Sequence, residues 1–179
     1  MVEGPKSLRV RVETTKHYCS VADPSARQRD TLTRLGVDAR NLPGAMALIA
    51  VGSAASGTMD ALSDLDLILV TSEFHRTWSV RVGMSAGALW AADDPGSRPD
   101  GPGVHKWLTA NLVLVELLMG EPGQFRLAEP FQLLWGPAEI LAQVPRRPPI
   151  DRSRDMKGEP LEVVRAYDEL KAAVRRAHS

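Results

Sequence analysis

Asp64 and Asp66 alternate with leucines in the stretch Ser63-Asp64-Leu65-Asp66-Leu67, which opens an apolar run. Carboxylates in such a setting are costly to desolvate unless a cation meets them. Side chains alternate faces along a strand, so both acids project to one side, about 7 Å apart, while Leu65 and Leu67 point into the core. Two carboxylates side by side repel, and one tends to take up a proton. A divalent cation removes that conflict. Mg²⁺ prefers oxygen and takes one or two protein carboxylates together with waters and substrate phosphates. Glu116 is the natural third member, because it interrupts the apolar run from Leu112 to Met119. If its strand neighbours the one from Asp64 to Val70, all three acids converge. Such a triad suits metal-assisted phosphoryl or nucleotidyl transfer.

The segment just upstream, Gly52-Ser53-Ala54-Ala55-Ser56-Gly57, fits the same chemistry. Glycines at its two ends permit backbone conformations in which amide groups approach a phosphate closely. Ser53 adds a hydroxyl donor, and Ser63 is placed to cap the strand or fix a carboxylate. A Ser-Asp-x-Asp pattern alone is common in turns. The combination of small-residue loop, acid pair and later glutamate favours the metal.

The elements that must position these groups follow from periodicity. Ala45 to Val51 is a short apolar run and reads as a buried strand, with Asp64 to Val70 as a second. Asp23-Pro24 starts a helix over Ser25 to Leu35 that ends at Gly36, and Asn41-Leu42-Pro43-Gly44 is a turn. Further on, the pattern predicts a strand near Thr77 to Val82, a helix near Ser85 to Ala92, and a surface loop from Asp93 to Gly103. Val104 to Thr109 and Asn111 to Met119 read as strands. Phe125 to Leu127 and Phe131 to Trp135 are shorter extended pieces, and Ala138 to Gln143 is a helical turn or two. The expected organisation is an N-terminal arm over 1–22, a domain over 23–144, a Pro- and Arg-rich linker over 145–158 and a C-terminal helix over 159–179. This is an α+β (α/β-like) fold, a mixed sheet flanked by helices.

The chain has 179 residues, enough for one domain with a real core. Its 22 basic and 22 acidic residues cancel, so no global field draws nucleic acid or a membrane surface. The single cysteine, Cys19, excludes an intrachain disulfide and a thiolate metal cage. No apolar run approaches membrane-spanning length, and a cytoplasmic location is the expectation. Histidines 17, 75 and 178 lack ligand spacing. His105 and Lys106 read as a solvated strand end, and Arg126 as an ion-pair partner of Glu129 or of an anion. Trp78, Trp90, Trp107 and Trp135 read as core or interface.

Gly52-Ser53-x-Ala55-x-Gly57 followed by Ser63-Asp64-x-Asp66 resembles the nucleotidyltransferase signature of the DNA polymerase beta superfamily. Its spacing is most similar to the small bacterial members, the minimal nucleotidyltransferases and the aminoglycoside adenylyltransferases. The resemblance is strong from Ala45 to Thr71 and looser around Lys106-Trp107-Leu108-Thr109 and from Arg126 to Pro130. It implies a polymerase-beta-type core in which Gly52 and Ser53 contact a triphosphate, Asp64 and Asp66 bind Mg²⁺, and Glu116 binds a second metal or acts as general base. Ser63 is the further nucleotide-side residue.

The activity so implied is transfer of a nucleoside monophosphate from a nucleoside triphosphate, with ATP the expected donor, to an acceptor hydroxyl, releasing pyrophosphate. One or two Mg²⁺ ions serve as cofactor, and the acceptor is a small molecule, a protein or an RNA. Many minimal members carry arginines in the loop, where this chain has Ala54 and Ser56, so phosphate grip must come from elsewhere. The short C-terminal region implies a helical partner protein or a homodimer. The alternative is a non-catalytic or partner-dependent nucleotide-binding subunit.

Overall fold

A computed structural model describes residues 26–60, 63–94 and 100–148. The expected N-terminal arm, the Asp23-Pro24 helix start and the C-terminal helix lie outside the described residues.

Helix α1 (Ala26–Arg40) buries Gln28, Thr31, Leu32, Leu35, Gly36 and Ala39, one stripe at helical spacing. It does not stop at Gly36. That glycine lies on the buried stripe, and packing of Leu32, Leu35 and Ala39 offsets its roughly 1 kcal/mol propensity cost. The turn at 41–44 follows as expected, with Gly44 left-handed at φ 69°.

Strand β1 (Ala45–Val51) leads into a short helix α2 (Gly52–Ser56), then strand β2 (Leu65–Thr71). The stretch from 74 to 93 differs from the expected strand-then-helix order. Instead helix α3 (Phe74–Ser79) is followed by a 3-10 turn (Arg81–Ser85) and a four-residue strand β3 (Trp90–Asp93). The reason is aromatic spacing: Phe74 and Trp78, four apart, stack at 5.7 Å between ring centroids. Thr77 lies buried between them in sequence and donates through its hydroxyl to the Pro43 carbonyl at 2.6 Å. Gly87, at φ 77°, then releases the chain into β3.

Strand β4 (Gly103–Leu108) matches its expected span closely, whereas β5 (Leu114–Gly120) begins three residues later than Asn111. Residues 109–113 are used in a reversal, where the Val113 amide donates to Thr109 Oγ1 and the Thr109 amide to the Val113 carbonyl, both at 2.9 Å. Strand β6 (Phe131–Trp135) and helix α4 (Ile140–Gln143) complete the described chain. Phe125 to Leu127 is not a strand. Leu127 makes a single parallel bridge to Arg146, so the start of the expected linker is tied to the domain by backbone hydrogen bonds.

The architecture is α+β: a mixed six-stranded sheet of order β3-β4-β5-β2-β1-β6. Only β2–β5 pairs parallel among these strands. One face packs under α1, α3 and the 3-10 turn, with Leu35, Leu67, Trp107 and Leu117 essentially inaccessible. Burying a side chain of leucine size contributes about 1.5–3 kcal/mol, so this layer dominates the stability. On the other face Ile49, Ile68 and Val70 pack against Phe125, Leu127, Ile140 and Val144. That cover is partial, and a cavity lies at its margin.

Candidate active site

The register of β2 against β5 places Asp66 directly beside Glu116. Their neighbours in each strand, Leu65, Leu67, Val115 and Leu117, are buried on the helix side, so both carboxylates stand on the partly open face. Both line a cavity of about 770 Å³. That is within the usual range for small-molecule sites. Ile68, Leu118 and Phe125 give it an apolar floor and wall, and Arg126 and Arg147 line it as well.

Gly52 opens α2 in the left-handed conformation, φ 62°, and lines the same cavity. A Cβ built there would lie 2.5 Å from Asp66 Oδ2, so the carboxylate packs directly on the backbone of residue 52. The GSAASG segment is a helix where a loop is expected. Ala54, only 1% exposed, anchors it in the core, and left-handed Gly57 closes it by donating to the Ser53 carbonyl. The Ser53 hydroxyl oxygen is buried and has no hydrogen-bond partner among the described residues. A buried hydroxyl without a partner is the sort of group a ligand satisfies.

Ser63 is occupied elsewhere. Its hydroxyl donates to Asp60 Oδ1 at 2.9 Å and accepts from the Asp60 amide at 3.0 Å. It therefore fixes the Asp60 carboxylate, before β2, and does not line the cavity. Asp64 lies half-buried just before β2 and also does not line the cavity. Among the described residues, no three His, Cys, Asp or Glu side chains cluster closely enough to hold a metal ion. The arrangement thus brings together Gly52, Asp66 and Glu116, and leaves Ser63 and Asp64 at its approach.

Gln28 was not anticipated from the sequence. From the buried stripe of α1 its amide donates to the carbonyls of Asp60 (2.8 Å) and Ser63 (2.7 Å), pinning the segment that leads into β2. A polar residue at a core position of an amphipathic helix is the signal that identifies it.

Lys106 is not a solvated strand end. It sits opposite Glu116 in the β4–β5 ladder, with Nζ 3.0 Å from Glu116 Oε1 and 3.5 Å from Asp94 Oδ2. Burial lowers the ammonium's pKa, but hydrogen bonding and charge from Glu116 and Asp94 outweigh it, and the net shift is upward. The ammonium therefore stays charged at neutral pH.

His105 is also not solvated, being 3% exposed on the helix-covered face. Its Nδ1 lies 2.8 Å from Asp93 Oδ1 and its Nε2 3.0 Å from Ser85 Oγ. Arg81 grips Asp93 through two nitrogens, and that hydrogen bonding is the main cause holding the Asp93 carboxyl down to about 2. The connectivity is that of a Ser-His-Asp relay. However, Ser85 is buried, lies off the cavity lining, and its hydroxyl is within 3.1 Å of the Val82 carbonyl as donor. These bonds tie the 3-10 turn to the β3–β4 edge.

Arg126 forms no ion pair with Glu129, and neither Arg126 nor Arg147 has a carboxylate partner among the described residues. Arg147 is held near Leu127 because its amide donates to the Leu127 carbonyl at 3.1 Å. Trp107 lies in the core as expected, while Trp90 is exposed on β3. No described helix is long and apolar enough to cross a membrane.

Fold and site together define an α+β protein whose mixed sheet carries an acidic, arginine-walled cavity on its less covered face. No family model matches the chain, and no curated protein matches it. Among solved structures it is similar to the "Structure of Cid1 in complex with the UTP analog UMPNPP", at 15% identity and a TM-score of 0.40, over 59% of this chain and 31% of that one. The chain thus spans under a third of that chain's length, and a likeness of this extent carries no argument about activity.

Proposed function

We propose that this chain is a metal-dependent nucleotidyltransferase that moves a nucleoside monophosphate from a nucleoside triphosphate to an acceptor hydroxyl, with release of pyrophosphate. The observation that carries the reading is the direct pairing of Asp66 with Glu116, with Asp66 seated on left-handed Gly52, inside one cavity. The oxygen donors of the two acids fit Mg²⁺, which needs only one or two protein carboxylates when phosphates and waters complete its shell. The resemblance of residues 45–71 to the polymerase beta superfamily supports the same reading.

Asp66 and Glu116 would hold Mg²⁺, with Asp64 at the approach. When bound, the ion would neutralise phosphate charge and the charge that develops on the leaving oxygen. Gly52 lets the backbone come close to the carboxylate, and Arg126 and Arg147, which line the same cavity, supply positive charge for an anion. Ser53, next to Gly52 but off the cavity lining, keeps a buried hydroxyl with a donor that a phosphate would meet only if the start of α2 shifted. The guanidinium pair is our answer to the missing loop arginines. ATP is the expected donor, and the acceptor is a small molecule, a protein or an RNA.

The test is calorimetric titration with ATP and CTP, with and without Mg²⁺, followed by mass detection of monophosphate adducts on an acceptor panel. Asp66→Asn is expected to remove metal-dependent nucleotide binding and turnover while leaving the unfolding midpoint nearly unchanged. Wild-type transfer by the purified Asp66→Asn protein would end the metal assignment. Metal-dependent binding without adducts would instead identify a nucleotide-binding subunit.

A further inference from the structure

Lys106 occupies a position that the proposed chemistry does not need for phosphate contact. Alternation along β4 puts Val104 and Lys106 on the same face, the one that carries Glu116. Val104 lines the cavity, and Lys106 lies one pleat further along and reaches sideways to Glu116 Oε1 at 3.0 Å. Both side chains of the pair are about one-third exposed, 29% for Lys106 and 34% for Glu116, so the contact is partly shielded from water. Asp94, 3.5 Å from the same ammonium, holds it from the sheet edge. Across the strands the charges therefore run Asp94, Lys106, Glu116, Asp66.

Two-metal phosphoryl-transfer sites place their ions about 3.5–4 Å apart, which requires acids able to serve both ions. Here one oxygen of Glu116 is committed to an ammonium, and no three acids converge among the described residues. The positive charge on the β4 side of Glu116 is already supplied by the protein. We propose that Lys106 stands in for a second divalent ion, so that the cavity takes one divalent cation, on the Asp66 side of Glu116, and not two. The proposal rests on the function given above and deepens it. An ammonium is a compact point charge with three donors, suited to hold a carboxylate in place; it cannot coordinate a nucleophile as a metal does. Activation of the acceptor hydroxyl on that side then falls to general-base chemistry or to the acceptor's own acidity. Lys106 is in this sense a positioning residue.

The experiment is electron paramagnetic resonance of Mn²⁺ bound with a non-hydrolysable nucleoside triphosphate analogue, which separates an isolated ion from an exchange-coupled pair. Wild type is expected to bind one Mn²⁺ per chain with the six-line spectrum of an isolated ion. Lys106→Met, which keeps the stem and removes the charge, is expected to double the stoichiometry and give a coupled spectrum, and Lys106→Arg to remain at one. A coupled pair in wild type overturns the inference and leaves the nucleotidyltransferase reading standing. A single isolated ion in a folded Lys106→Met protein also overturns it. Absence of any bound Mn²⁺ in wild type defeats the functional reading itself. A coupled pair in wild type rules the inference out even where a variant fails to fold, and Lys106→Gln is the second charge-removing variant, expected like Lys106→Met to bind two coupled ions.

Discussion

Gly52→Ala tests the seat of the carboxylate. Residue 52 has φ 62°, and an added Cβ would meet Asp66 Oδ2 at 2.5 Å. A non-glycine residue in the left-handed region costs roughly 1–2 kcal/mol. Turning Asp66 off its rotamer to relieve the contact costs about 0.5–1.5 kcal/mol more. The expected destabilisation is therefore about 1.5–3.5 kcal/mol, readable by urea unfolding. The control is Gly44→Ala, where φ is 69° and the added atom would meet Glu73 Cβ at 2.9 Å, at the turn before β1. Its stability cost should be similar. The two variants should part on function: moving the Asp66 carboxylate by about 1 Å is expected to lower transfer about 100-fold and to weaken metal-dependent nucleotide binding, while Gly44→Ala binds as wild type at a temperature where it is folded. Equal loss in both variants, or none in Gly52→Ala, would refute the claim that Gly52 seats the carboxylate.

The remaining predictions concern the far wall and the sheet edge. Arg126→Ala and Arg147→Ala are each expected to weaken nucleoside triphosphate binding about tenfold. The deficit should shrink as salt rises, with unchanged thermal midpoints; equal affinity for wild type and the double variant sinks the anion role. For Asp93, whose folded pKa is lowered from 3.8 to about 2 chiefly by Arg81, the stabilisation is fully present above about pH 4 and is lost as pH falls towards 2. Arg81→Met should cost about 1 kcal/mol at neutral pH after allowance for solvent screening. The gap to wild type should close in acid, and a pH-independent gap in urea unfolding contradicts the pairing.

Elements built on strong apolar periods were legible in the sequence: β1, β2, β4 and β6 lie within a residue or so of their expected bounds. The mixed sheet was legible too. The stretch 74–93 was not, because glycines at 83 and 87 suggested breaks while a Phe74–Trp78 stack was setting a helical turn. The acid pair was anticipated only conditionally, since parallel pairing between distant strands leaves no local mark. Lys106 was invisible for the same reason: its partner is defined by register, and a lysine at a strand's end reads as solvated. Arg147 sits in a proline-rich run that looks like free linker, and only the backbone bonds to Leu127 bring it to the cavity. Ser63 does fix a carboxylate, one of its two expected roles, but proximity in sequence to Asp64 and Asp66 says nothing of which acid its hydroxyl meets, and that acid is Asp60.

The parallel pairing of β2 with β5 is also a seam between two runs of antiparallel strands, β6–β1–β2 on one side and β3–β4–β5 on the other. Apart from β1–β6, each ladder within a run joins strands that follow one another along the chain. Asp66 belongs to the first run and Glu116 to the second. Neither half therefore contains a site in miniature. The acid pair is a property of the join, and any opening of that seam dissolves it while both halves keep their own hydrogen bonds.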